Sequence, residues 1–446
     1  MSDATSMAED FASGRSDPVQ ALEQALVHAS MAPSVFISLT AERARREAEA
    51  AAARWRAGQP LSVFDGVPLA WKDLFDVAGS ITTAGAAYRR NAPAALLDAP
   101  SVGLLCRAGM VSVGKTNLSE LAYSGLGLNP HFGTPFNPSS GDEARIPGGS
   151  SSGSAVAVAA GIVPIAMGTD TAGSIRIPAA LNGVVGYRSS SRRYSRDGVF
   201  PLAHTLDSLG PLTRSVRDAL AIDDVLNGRR QTHSARSLKG QRFVLAQQEV
   251  EPAVRNNLLR AVEQLKAQGA LIEERECPTF EATLALIKDH GWLGTFEAFA
   301  LHEALLDSPD AEQLDPRVRR RLEAARALPA SQLLHLVDAR RRLQQQLVDD
   351  LDGAILITPT VAHVAPALAP LEVDDDLFVK TNLATLRLTM PGSLLDMPGV
   401  TLPSGRDAQG LPTGLLLSAP TGRTLACCAR RCPSNPYLTF KETHHG

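Results

Sequence analysis

The sequence has little of several things. Only five of its 446 residues are cysteine, at positions 106, 277, 427, 428 and 432. An odd number, with three crowded near the end, excludes a secreted disulfide framework. Neither charge dominates: 44 basic and 47 acidic side chains leave a net charge of −3. That removes the broad basic surface of a nucleic-acid binder. No apolar run is long enough to cross a bilayer. The longest, Ala155 to Met167, is short and holds Gly161 and Pro164. The opening residues, MSDATSMAEDFASGRSDP, lack the apolar centre of a signal peptide. A cytoplasmic protein that binds neither membrane nor nucleic acid is expected. Lysine is scarce too: only seven of the 44 basic residues are lysine, the rest arginine. A lysine inside an apolar run therefore asks for a reason.

What is present is a large stock of core residues. Apolar side chains make up 44% of the chain, enough for a sizeable core without covalent staples. They also exclude disorder throughout. Length alone allows one to three domains at about 150 residues each.

Local patterning divides the chain. Pro18 to Ser30 reads as a helix with Asp17 as N-cap and proline at the first position. Thr40 to Arg56 reads as a second. From about residue 62, short apolar strands (67–71, 110–113, 162–168) alternate with helices (101–109, 153–161). This predicts an α/β fold with a parallel or mixed sheet. Residues 226–350 read as mainly helical, including 254–268 and 331–350, after a strand at 242–247. A strand returns at 354–360. No tandem repeat or low-complexity linker divides the chain.

Two loops stand out. RIPGGSSSGSAVAVAAG (145–161) and GTDTAGSIRIPAA (168–180) are runs of glycine and hydroxyl residues leading into apolar helices. They bracket one short strand, which brings them close in space. Ordinary turns are the plain reading, but so many hydroxyls are poor core filler. Backbone N–H groups in such loops make anion-binding nests. Pro178 suits a first helical turn, which places Ser174 just before a helix start whose positive end favours an oxyanion. The third feature is Lys72, in GVPLAWKDLFDVAG, among Trp71, Leu74 and Phe75. A desolvated lysine loses its proton near neutral pH and acts as a base. Against this, Lys72 can snorkel, or Asp73 can hold it charged.

Together these segments resemble the amidase signature family of serine hydrolases. So do VGKTNLSELAYSG (113–125), TLDSLGPLTRSVRD (205–218) and AILITPTVAHVAP (354–366). The likeness is strong over about 60–225 and weaker over 350–420. It implies a central mixed, twisted sheet with helices on both faces. It also implies one amidase domain over 1–446: signature core 60–225, helical variable region 226–350, and a return to the core over 351–420. The implied activity is hydrolysis of a small-molecule amide through a serine acyl-enzyme, without metal or organic cofactor. The implied catalytic residues are Ser174 as nucleophile, Ser150 as a bridging serine on a cis peptide bond, and Lys72 as general base. The oxyanion hole maps onto the backbone N–H groups of Thr171, Ala172, Gly173 and Ser174. The partners expected are the amide substrate and, in a homodimer, a second copy of the chain.

Some positions depart from the family pattern. Ala172 stands where a second glycine is usual, and Tyr187, Arg188 and Ser189 replace a Leu-Lys-Pro stretch. The segment 424–446 lacks helical periodicity and gathers cysteines and histidines. It is read as a poorly ordered end, with a zinc site from Cys427, Cys428, Cys432, His444 and His445 as the rival. Three alternatives stay open for function. One is a glutaminase-like component of a tRNA-dependent amidotransferase. Another is an allophanate- or biuret-type hydrolase. The last is a chain made inactive by its abnormal end. Gly109 to Thr116 fits the phosphate-loop pattern G-x-x-x-x-G-K-[ST]. Its middle residues are strand-like and a helix precedes them, so Lys115 is expected to support the fold. His131, His204 and His363 are read as structural or pocket-lining.

Overall fold

The computed structural model describes residues 3–229 and 237–422. Among the described residues eleven strands join one mixed sheet: β1 Phe36–Leu39, β2 Pro68–Lys72, β3 Val111–Thr116, β4 Ile165–Asp170, β5 Val185–Arg188 and β6 Ser208–Thr213 come from the first half. β7 Arg242–Leu245, β8 Leu271–Glu274, β9 Ile355–Pro359, β10 Gly399–Arg406 and β11 Pro412–Ser418 complete it. The spatial order is β1-β3-β2-β4-β6-β5-β10-β11-β9-β7-β8. Strands β3, β2 and β4 run parallel, as do β9, β7 and β8; the remaining pairs are antiparallel.

Alternation along the strands builds a core on each face of the sheet. Leu69 and Trp71 of β2 pack into one cluster with Phe75, Ile165 and Met167. Ala70, between them, packs into another with Val113, Ala155 and Ala166. The helix Ser152–Ala159 is buried along nearly its whole length. That explains the chain's longest apolar run without a bilayer. No helix among the described residues is long and apolar enough to cross a membrane.

The expected elements form, with boundaries moved by at most three residues. The helix Pro18–Ser30 starts where Asp17 accepts from the Val19 and Gln20 N–H groups. The second helix spans Ala41–Arg56, with Thr40 as its N-cap residue; the Thr40 hydroxyl donates to the Ser112 carbonyl and makes no cap bond. An unforeseen helix, Ala4–Ala12, is capped by Asp3, which also pairs with Arg217 at 2.6 Å. The phosphate-loop lookalike is not a loop: Gly114, Lys115 and Thr116 lie within β3. The predicted irregular end at 424–446, with its rival zinc site, falls outside the described residues.

Candidate active site

Lys72 ends β2 and is entirely buried. Its Nζ donates to Ser150 Oγ at 2.7 Å and to Thr169 Oγ1 at 2.7 Å. Burial drives the ammonium down to about 7, against the opposing pull of the Asp170 and Asp207 carboxylates. Asp73 does not hold Lys72. It turns instead to Lys115, at 2.7 Å, and both side chains of that pair are fully buried. Thr83 also donates to Asp73 through its N–H and its hydroxyl. Lys115 is thus the internal counter-ion of Asp73, and among the described residues no carboxylate forms an ion pair with Lys72.

Ser150 sits on the loop after Gly148, and the Gly149–Ser150 bond is cis. Glycine at 149 is required by close approach: a Cβ there would stand 2.6 Å from the Gly127 backbone nitrogen. The neighbouring Ser151 N–H donates to the Ser174 carbonyl at 3.2 Å, tying the two hydroxyl-rich loops together.

Ser174 lies in the turn between β4 and the helix Arg176–Asn182. The helix end does not serve as the sequence suggests. Asp170 Oδ2 accepts from the Ile175 and Arg176 N–H groups, at 3.2 and 3.3 Å, so the first helical donors are already engaged. The N–H groups of Thr171, Ala172, Gly173 and Ser174 make no backbone hydrogen bond among the described residues. The donors available to a developing oxyanion are therefore loop amides. Thr389 Oγ1 donates to the Ala172 carbonyl at 2.6 Å, and Thr171 Oγ1 donates to Asp207 at 2.6 Å. These bonds fix the loop from both sides. Gly173 has φ +140°, and a Cβ there would stand 2.2 Å from Thr389 Oγ1. Ala172 fits where a second glycine is usual, because it borders the open space over Ser174.

Several supporting residues escaped the sequence reading: Thr169, Asp170, Arg176, Asp207 and Thr389. Asp170 is pushed up by burial, but Arg176 and Arg188 more than offset this and hold it well below the usual carboxylate value. Arg176 pairs with Asp170 at 2.9 Å and donates to Ser393 Oγ at 2.7 Å. Arg188, in the stretch that departs from the family, is buried and donates to the Met397 carbonyl at 2.8 Å. Asp207 is raised by burial, with the Thr171, Ala203 and Leu202 donors opposing. The available signals were an arginine and an aspartate flanking Ser174 in an apolar setting, and Asp207 in TLDSLGP.

A cavity of about 310 Å³ opens over Ser174, Thr171 and Ala172. Its walls include Tyr123, Ile287, Trp292, Leu386 and Met390. A larger one, about 410 Å³, reaches Thr169 and Asp207 from the side of His204. The cavity over Ser174 is the one of these two that Ser174 lines. His131 pairs with buried Glu120 at 2.9 Å. His363 faces the Val364 carbonyl and Thr385. Among the described residues no group of three or more His, Cys, Asp or Glu could hold a metal ion.

Comparison with known proteins bears on the family and the fold. The family described as "Amidase" matches residues 20–428. The 2-amino-5-chloromuconic acid deaminase of Comamonas testosteroni is 33% identical, over 88% of this chain and 86% of that protein. The A subunit of glutamyl-tRNA(Gln) amidotransferase from Synechococcus sp. (strain RCC307) is 32% identical, over 86% of each. A solved structure, "Crystal structure of amidase", superposes with a TM-score of 0.84 at 33% identity, covering 96% of this chain and 98% of its own. In sequence and in fold alike, the chain belongs to the amidase family, hydrolases that act on carbon–nitrogen bonds.

Proposed function

We propose that this protein hydrolyses the C–N bond of a small amide through an acyl-enzyme on Ser174. The observation that carries this reading is the buried Lys72, with Nζ 2.7 Å from Ser150 Oγ and no carboxylate partner among the described residues. A serine hydroxyl needs a base before it attacks. Neutral Lys72 takes the Ser150 proton, and Ser150 takes the Ser174 proton as Ser174 Oγ bonds to the amide carbon. The oxyanion is met by the N–H groups of Thr171, Ala172, Gly173 and Ser174. The proton returns through Ser150 to the leaving nitrogen as the C–N bond breaks. Water, deprotonated along the same path, then releases the acid. The cavity is at the small end of the roughly 300–1,000 Å³ range of ligand pockets, which favours a small molecule.

Ser174→Ala tests the reading. The variant should stay folded, lose turnover by several orders of magnitude, and no longer be labelled by a fluorophosphonate that modifies the wild type once. Near-wild-type turnover by the folded variant removes Ser174 as nucleophile. A second reading, a component that supplies ammonia to a partner enzyme, is favoured by the likeness to the amidotransferase chain. Glutamine-dependent amide transfer with a copurifying partner would establish it.

A further inference from the structure

The helix Pro316–Ala324 carries four arginines. Three are matched by carboxylates: Arg317 by Asp315 at 2.8 Å, Arg319 by Glu312 at 2.8 Å, and Arg320 by Asp375 at 2.9 Å. Arg321 is not. Its Nη1 donates to the Tyr123 carbonyl, and its guanidinium stands over the Tyr123 ring, 4.2 Å from the centroid. Among the described residues no carboxylate forms an ion pair with it. Arg321 also lines the cavity over Ser174, where it is the one charged side chain among the described lining residues.

A guanidinium offers five donors, and the Tyr123 carbonyl uses one. The ring steadies the group without neutralising it. The half-buried guanidinium beside apolar walls gains from an anion that takes its remaining donors. Planar, two-oxygen anions match the guanidinium fork. We propose that Arg321 is a substrate-recognition site, and that the amide cleaved at Ser174 carries a carboxylate remote from the scissile bond. The carboxylate docks on Arg321 while the amide carbonyl rests at the loop Thr171–Ser174. This rests on Ser174 being the nucleophile. It narrows the substrate class from small amides to acidic ones, and it selects against amides bearing a cation at that end.

The test is ammonia release from malonamate, succinamate and glutaramate. Each is set against the uncharged amide in which isopropyl replaces the carboxylate: 3-methylbutanamide, 4-methylpentanamide and 5-methylhexanamide. The wild type should prefer the acid at one chain length at least. Arg321→Gln should lower kcat/KM for that acid roughly 10–100-fold, chiefly through KM, and leave its isostere little changed. Arg321→Lys should recover part of the loss. No preference for the acid at any length, inertness toward all three acids included, overturns the proposal. Equal losses for acid and isostere in Arg321→Gln also overturn it, since Arg321 would then only brace Tyr123. Ser174→Ala is run alongside: an acid still cleaved by that variant would place the failure in the nucleophile and not in Arg321.

Discussion

Replacing Lys72 with methionine gives a measurement that separates a neutral lysine from a charged one. In the folded protein Lys72 titrates near 7, whereas an ordinary lysine does so at 10.5. At pH 7 about half of the folded molecules hold the free amine, against about 3 × 10⁻⁴ for an unperturbed lysine. Between the two values the unfolded chain binds a proton that the folded chain does not, so stability rises with pH. Below pH 7 the cost of burying the ammonium is fully present. Above about 10.5 it is gone. From pH 6 to 9 the change amounts to about two pH units, or about 3 kcal/mol. Lys72→Met lacks it. Urea unfolding of both proteins at pH 6, 7, 8 and 9 should show wild type gaining about 3 kcal/mol on the variant across that range. The bonds from Nζ to Ser150 and Thr169 are lost at every pH, so they offset the two curves without changing their relative slope. Wild-type kcat/KM should climb tenfold per pH unit up to about 7 and then level off. Parallel stability curves would mean that Lys72 keeps its proton, and the base assignment would fall with them.

Other outcomes follow from the same geometry. Lys72→Arg should be as inactive as Lys72→Met, because arginine does not give up its proton; an amide-hydrolysis assay above pH 8 checks this. Gly173→Ala should cost about 10²–10³ in kcat by displacing the oxyanion amides from Thr389, while circular dichroism stays native. Lys115→Met should destabilise the fold by about 3–5 kcal/mol in urea, leaving Asp73 buried without its counter-ion. Adding Asp73→Leu to Lys115→Met should recover much of that loss.

The parts of the site that the sequence showed are those fixed by short segments. Ser150 and Ser174 lie in glycine-rich loops, and Lys72 ends an apolar strand, so each announces itself within a few residues. Thr169 and Thr389 do not, since either reads as an ordinary threonine until β4 or the 386–390 turn brings it beside its partner. The helix-end argument for Ser174 failed for a local reason: Asp170, four residues before it, reaches the first helical N–H groups. Arg321 was invisible for another. Its helix reads as a polar surface helix with four similar arginines, and only the packing of the 226–350 region over the signature core distinguishes the one that faces the cavity.

The strand order has a consequence for how the protein is made. β1 to β6 can assemble from the first half of the chain, leaving β5 as an open edge. β7, β8 and β9 form a second short sheet with β9 open. No strand pairing joins the two until β10 and β11, the last strands among the described residues, enter between β5 and β9. Until then the edges Val185–Arg188 and Ile355–Pro359 lack strand partners, and unpaired edges invite pairing with other chains during synthesis. Thr389, which steadies the Ser174 loop, also arrives only near the end. Hydrolysis should therefore switch on late and all at once, when the closing hairpin locks the halves together.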